Sequence, residues 1–88
     1  MTHKIYYLIT AYNGGNHSER FFNSEDKLKD ALRFIVEDDI NRLGNEDENI
    51  SGLLADGAVY EAFEEWYNST DPDDRYFYGH STVELSTN

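Results

Sequence analysis

The stretch from Glu61 to Asp74, EAFEEWYNSTDPDD, carries six carboxylates and no Lys or Arg. Such a cluster can do three kinds of chemistry. It can coordinate a hard cation, share protons as an acid–base pair, or present fixed negative charge to a cationic surface. The calcium reading fails on spacing. In DPDDRYFYGHST the sixth position is Tyr76 where an EF-hand loop needs Gly, and the twelfth is Thr82 where it needs Glu. NEDENISGLLAD, residues 45–56, ends on Asp56 but has Ile50 at its sixth position. His3, His17 and His80 show no HxxxH or HExxH spacing, so no metal or other cofactor is expected.

Acid–base catalysis needs carboxylates whose environments push their pKa values apart, hence a pocket. An 88-residue chain has little volume for one, and no residue pattern marks a buried acid. NGGN (13–16) lacks the Lys and the following helix of a phosphate loop, and no serine sits in a nucleophile elbow. The expectation is a protein that is not an enzyme. Fixed charge remains as the use for the acids.

That charge is large and unevenly placed. Eighteen acidic against seven basic residues give a net charge of −11. Between Leu43 and Asp74 ten acids occur without one basic residue, and every Lys or Arg except Arg75 lies at or before Arg42. Direct contact with nucleic acid or an anionic membrane is disfavoured, since both require cationic patches. A basic protein partner is favoured. The absence of Cys removes disulfides and thiolate metal sites, and neither a leader-like cleavage pattern nor a run of about 20 apolar residues is present. A soluble, cytoplasmic protein is expected.

The elements that must carry these residues follow from periodicity. KIYYLITAY (4–12) suits a buried strand, NGGN a hairpin turn and HSERFF (17–22) the returning strand. Asn23 and Ser24 offer a cap to a helix over 24–43, with Glu25 and Asp26 in its first turn. Leu28, Leu32, Ile35, Val36, Ile40 and Leu43 form its apolar stripe, and Gly44 stands where a helix stops. Residues 45–51 read as a loop. Ala55, Ala58, Val59, Ala62, Phe63, Trp66 and Tyr67 mark one face of a second helix, firm over 57–68, and Pro72 bars its continuation. RYFYGHSTVEL (75–85) reads as a third strand.

The expected fold is α+β in the order β-β-α-α-β: one domain over residues 1–88, with two helices packed on one face of a three-stranded antiparallel sheet. Phe77, Val83 and Leu85 would share the covered face. Tyr6 or Tyr7, Tyr12, Tyr76 and Tyr78 would then face solvent or a partner, as interface tyrosines do.

Helix two breaks three local rules. Glu61 and Glu65 are like charges at i, i+4, Glu64 lies beside them, and acids late in a helix oppose its macrodipole. Glu37, Asp38 and Asp39 form a second acidic run. Rules broken together point to a demand other than stability. The candidate partner-binding residues are therefore Glu37, Asp38, Asp39, Glu61, Glu64, Glu65, Asp71, Asp73, Asp74, Tyr76 and Tyr78, with Tyr60 and Tyr67 as further apolar anchors and Trp66 expected in the core rather than at a contact.

With VEDD (36–39), NEDEN (45–49), EAFEEW (61–66) and DPDD (71–74) interleaved with aromatics, the chain resembles the small acidic inhibitors that phages carry against host defence, the anti-CRISPR and anti-restriction proteins. That resemblance implies a phage-encoded inhibitor in the host cytosol. It would occupy the DNA- or RNA-binding groove of a basic nucleic-acid-handling protein, such as a CRISPR effector or restriction enzyme, by mimicking the polyanion. The alternative is a small interaction or assembly module forming a homodimer through its tyrosine-rich sheet face.

Overall fold

Val, Ile, Tyr and Thr favour the pleated, half-buried surface of a sheet, and KIYYLITA supplies the strand most enclosed by neighbours. In the computed structural model, which describes residues 2–44 and 47–84, this strand is the central one. The chain is α+β and runs β1 (Thr2–Ala11), β2 (His17–Phe22), α1 (Glu25–Leu43), α2 (Glu48–Ala55), α3 (Val59–Thr70), β3 (Arg75–Glu84). The sheet order is β2-β1-β3, with both pairings antiparallel. It falls into two compact units, the sheet with the chain up to Leu28 and from Asp73, and the helical segment Lys29–Pro72.

The hairpin joining β1 to β2 forms where NGGN places it. Gly14 and Gly15 take φ of 131° and 97°, and the Tyr12 N–H donates to Asn16 O at 2.8 Å across the loop. β1 ends at Ala11, one residue before the expected end, because Tyr12 is already bonded into this turn.

Register decides which sheet face is buried. Leu8 and Thr10, at 1% and 7% exposure, pair with Tyr78 and Tyr76, and residues paired across a sheet share a face. Tyr6, Tyr76 and Tyr78 on that face are half-buried. The other face carries Ile5, Tyr7 and Ile9 with Phe21 and Phe77, which are 65% and 57% exposed. This reverses the expected assignment. β1 is apolar in both phases, so its own alternation does not set the phase of Leu8; Phe77, expected on the covered face, lies on the exposed one. Leu85 lies outside the described residues.

Among the described residues the helices number three, where two were expected. The expected loop at 45–51 contains the start of α2, because Asp47 caps it: its Oδ1 accepts from Asn49 N at 2.9 Å and Ile50 N at 3.3 Å. Asn45 and Glu46, at the start of that loop, lie outside the described residues. Ile50 and Leu54 are buried at helical spacing. Gly57 at φ +82° ends the run, with Ala58 N donating to Leu53 O at 2.9 Å, and α3 restarts at Val59. Ala55, expected on the stripe of the second helix, is an exposed residue of α2. α1 starts and stops where its signals stand: Ser24 Oγ accepts from Lys27 N at 3.4 Å, and Gly44 N donates to Ile40 O at 2.9 Å.

The helical unit buries Ala31, Leu32 and Val36 of α1, Ile50 and Leu54 of α2, and Val59, Ala62, Phe63 and Trp66 of α3. Removing a side chain such as Leu32 or Phe63 from water is worth about 1.5–3 kcal/mol each. Arg33 ties two helices together. Its guanidinium donates to Leu54 O at 2.9 Å near the C-terminus of α2, where carbonyls lack helical partners, and it lies 3.6 Å from the Glu37 carboxylate.

A break at Gly57 makes a direct prediction. Gly57→Ala places a Cβ on a left-handed residue and should cost about 1–2 kcal/mol. Gly52→Ala, inside α2 with open space around it, should gain about 0.5–1 kcal/mol. Urea denaturation of both variants checks this; stabilisation by both would mean that residues 48–70 form one continuous helix.

Candidate acidic binding surface

Trp66 sets the orientation of α3. It is 4% exposed, and a buried indole N–H needs an acceptor. Trp66 Nε1 donates to Asp39 Oδ2 on α1 at 2.9 Å. With Val59, Ala62, Phe63 and Trp66 buried, helical geometry turns Glu61 and Glu64 to the opposite side and Glu65 to its flank, and all three are exposed. The ring of Phe63 lies 5.3 Å from that of Trp66 and 6.3 Å from that of Tyr67, so the apolar side of α3 is held by aromatic contacts of its own.

The candidate acids separate into two groups. Asp39 is consumed by structure: besides Trp66, it lies 3.7 Å from Arg42. Asp38 is 3.3 Å from Arg42 and Glu37 is 3.6 Å from Arg33. Each acid of the run Glu37-Asp38-Asp39 thus has an arginine three or four positions away within 4 Å. Asp74 accepts from the Asn13 N–H at 3.0 Å and so ties the β1–β2 hairpin to the start of β3. Asp71 is the left-handed C-cap of α3 at φ 46°, its N–H donating to Tyr67 O at 3.0 Å.

The second group is Glu61, Glu64, Glu65 and Asp73, all exposed. Among the described residues neither Glu61 nor Glu65 faces a cation, and α3 has no basic residue in its last turn. Glu61, however, lies in the first turn of α3, where the helix dipole favours an acid, which corrects the expectation that it stands late in the helix. Tyr60 and Tyr67 flank this side half-buried, with Lys29 Nζ 5.6 Å above the Tyr60 ring. Trp66 is core and offers no anchor to a partner. Tyr76 and Tyr78 belong to the sheet unit and to its more buried face.

Sequence reasoning missed Phe34. It is 68% exposed on α1, off the stripe of Leu32 and Val36, with Asp30, Glu37 and Asp38 at i−4, i+3 and i+4. Its signal was present: it falls between two apolar phases of a helix whose inward positions were already filled. Phe34 is thus an exposed aromatic with three acids at helical spacing on α1.

A cleft of about 350 Å³ in the helical unit is lined by Asp39, Ile40, Asp47, Ile50, Trp66, Ser69 and Thr70. Its two carboxylates are both engaged, Asp39 by Trp66 and Asp47 by the first turn of α2. Among the described residues no three of His, Asp and Glu come together as a metal-holding group, and no helix is long and apolar enough to cross a membrane. No protein family, curated protein sequence or solved structure matches the chain.

The two groups of acids should respond oppositely to neutralisation. Asp39→Ala leaves the Trp66 N–H without its acceptor and should cost about 1–3 kcal/mol, with a shift in tryptophan emission. Glu61→Gln with Glu65→Gln should be neutral or stabilising by a few tenths of a kcal/mol, about the size of the i, i+4 repulsion removed. Equal destabilisation in both, read by thermal unfolding, would contradict the sorting.

Proposed function

We propose that this protein is a non-enzymatic binding protein whose acidic helical surface engages a basic protein of the kind that handles nucleic acid and blocks its DNA- or RNA-binding groove. The observation that carries the reading is the outer side of α3. Glu61, Glu64 and Glu65 are exposed there, away from a buried apolar side, and Glu61 and Glu65 have no cation against them among the described residues. Carboxylates on one turn of a helix stand a few ångströms apart, close to the roughly 3.4 Å axial rise of phosphates along one strand. A groove built for a polyanion meets a similar charge density here.

The cost of this arrangement supports the same conclusion. One Lys at position 65 would convert repulsion into attraction worth about 0.2–0.5 kcal/mol, with the acid at 61 kept at the N-terminal end of α3, and the chain forgoes it. Phe34, also in the helical unit, supplies an aromatic anchor among acids. The net charge of −11 adds long-range attraction that speeds the encounter with a cationic target. The resemblance to phage inhibitors of CRISPR effectors and restriction enzymes names the target class that this proposal puts first.

Charge reversal tests it. Glu61→Lys with Glu65→Lys should leave the far-ultraviolet dichroism and the Trp66 emission unchanged. The same double variant should lose inhibition of DNA or RNA binding by a purified CRISPR effector or restriction enzyme, with affinity for that target falling about tenfold or more, roughly 1.4 kcal/mol per decade. Undiminished inhibition by the double reversal would remove α3 from the interface.

A further inference from the structure

The sheet unit carries a second surface whose chemistry is the reverse of the acidic one. On the face of Ile5, Tyr7 and Ile9, the described charged positions are Glu19 on β2, paired with Ile9, and Arg75 on β3, paired with Ala11. One acid and one base leave this face close to neutral in a chain of net charge −11. His17 lies 3.8 Å from Glu19 on the same edge. On these same two edge strands Phe21 and Phe77 stand 65% and 57% exposed. An apolar surface kept nearly free of net charge fits an apolar, near-neutral partner, not a cationic groove.

We infer that this face is the contact between two copies of the chain, related by a two-fold axis along the strands. Such an axis lays β2 of one copy over β3 of the other at the same height, and the rows of the sheet are then complementary. In one row Phe21 and Gly79 flank Tyr7; in the next Glu19 and Phe77 flank Ile9; in the third His17 and Arg75 flank Ala11. Phe21 of one copy falls over the side-chain-free Gly79 position of the other. That position is roofed by the Tyr7 ring, whose hydroxyl would lie 2.8 Å from any Cβ built there. Phe21 therefore meets an aromatic surface lying low on the sheet. Glu19 falls over Phe77, one row from Arg75, within reach of its long side chain. Each copy contributes the same residues to both halves, so the opposite charges and the protruding and recessed positions match twice.

The size of the face fixes the strength. The six rows paired across all three strands span on the order of 20 Å by about 14 Å, a few hundred Å² from each copy. That is below the roughly 1,200 Å² total of stable specific interfaces, so the dimer is a weak one, formed at high concentration. Two chains of charge −11 repel at long range, and added salt screens that repulsion while sparing apolar contact. Self-association therefore strengthens with salt. Binding of a basic partner through the helical unit weakens with salt, so the two contacts can fail or hold independently.

Sedimentation velocity over a wide concentration range, at about 0.1 M and about 1 M salt, is the test. The parent protein should move from monomer toward dimer with concentration, and further at the higher salt. Phe21→Ser and Phe77→Ser should each weaken the dimer about tenfold or more while leaving urea unfolding nearly unchanged, since both side chains are exposed. Glu19→Arg alone should weaken it, and adding Arg75→Glu should restore it, which a mere effect on folding would not do. A monomer at every concentration and salt, or a dimer indifferent to Phe21, Phe77 and the charge exchange, would overturn the inference.

Discussion

The hydrogen bond from the Trp66 indole to the Asp39 carboxylate is the constraint on which the helical unit depends. A tryptophan this deeply buried brings more apolar area than any other residue of the unit, but its N–H cannot be left unpaired without a cost of about 1–3 kcal/mol. Asp39 meets that need from α1, and Arg42 in turn balances Asp39. Once Trp66 is fixed inward, 3.6-residue periodicity leaves no choice for Glu61 and Glu64, which must face out. The same bond withdraws Asp39 from the surface. One interaction thus assigns both which acids build the fold and which are left to act.

Much of this was legible in the sequence, and what was not has physical reasons. The cap at Ser24, the stop at Gly44 and the stripe Val59, Ala62, Phe63, Trp66 are local signals, and each element forms where its signal stands. α2 was missed because eight residues give too short a stripe to outweigh a polar composition, and because Asp47 read as a loop acid when it is a cap. The sheet face was misassigned because β1 is apolar on both sides. Its phase is set by register with Tyr76 and Tyr78, a fact about pairing and not about any one strand. Asp39 and Asp74 were grouped with the other acids because their partners, Trp66 and Asn13, lie 27 and 61 residues away. Charge clustering is visible in a sequence; which charges are already spent is tertiary information.

The arrangement separates two chemistries that would interfere on one surface. Glu61 and Glu65 on α3 face no cation among the described residues, while the exposed phenylalanines of the sheet lie where the net charge is close to zero. Apolar patches on a soluble protein invite association with whatever is near. A strong net charge limits such encounters to partners that are cationic or, at close range, well matched in shape. Phe34 is the exception, an exposed aromatic with acids at helical spacing around it.

The claim that most needs a direct test is that exposed carboxylates of the helical unit enter a cationic groove. The decisive measurement is the association rate with a purified nucleic-acid-binding effector as ionic strength rises, repeated with its DNA or guide RNA as competitor. Between about 0.1 M and about 1 M salt the Debye length falls from about 10 Å to about 3 Å, so steered association should slow steeply while dissociation changes little. The account predicts that steep slope together with mutual exclusion between protein and nucleic acid. A flat salt dependence, with protein and nucleic acid bound to the target at once, would contradict it.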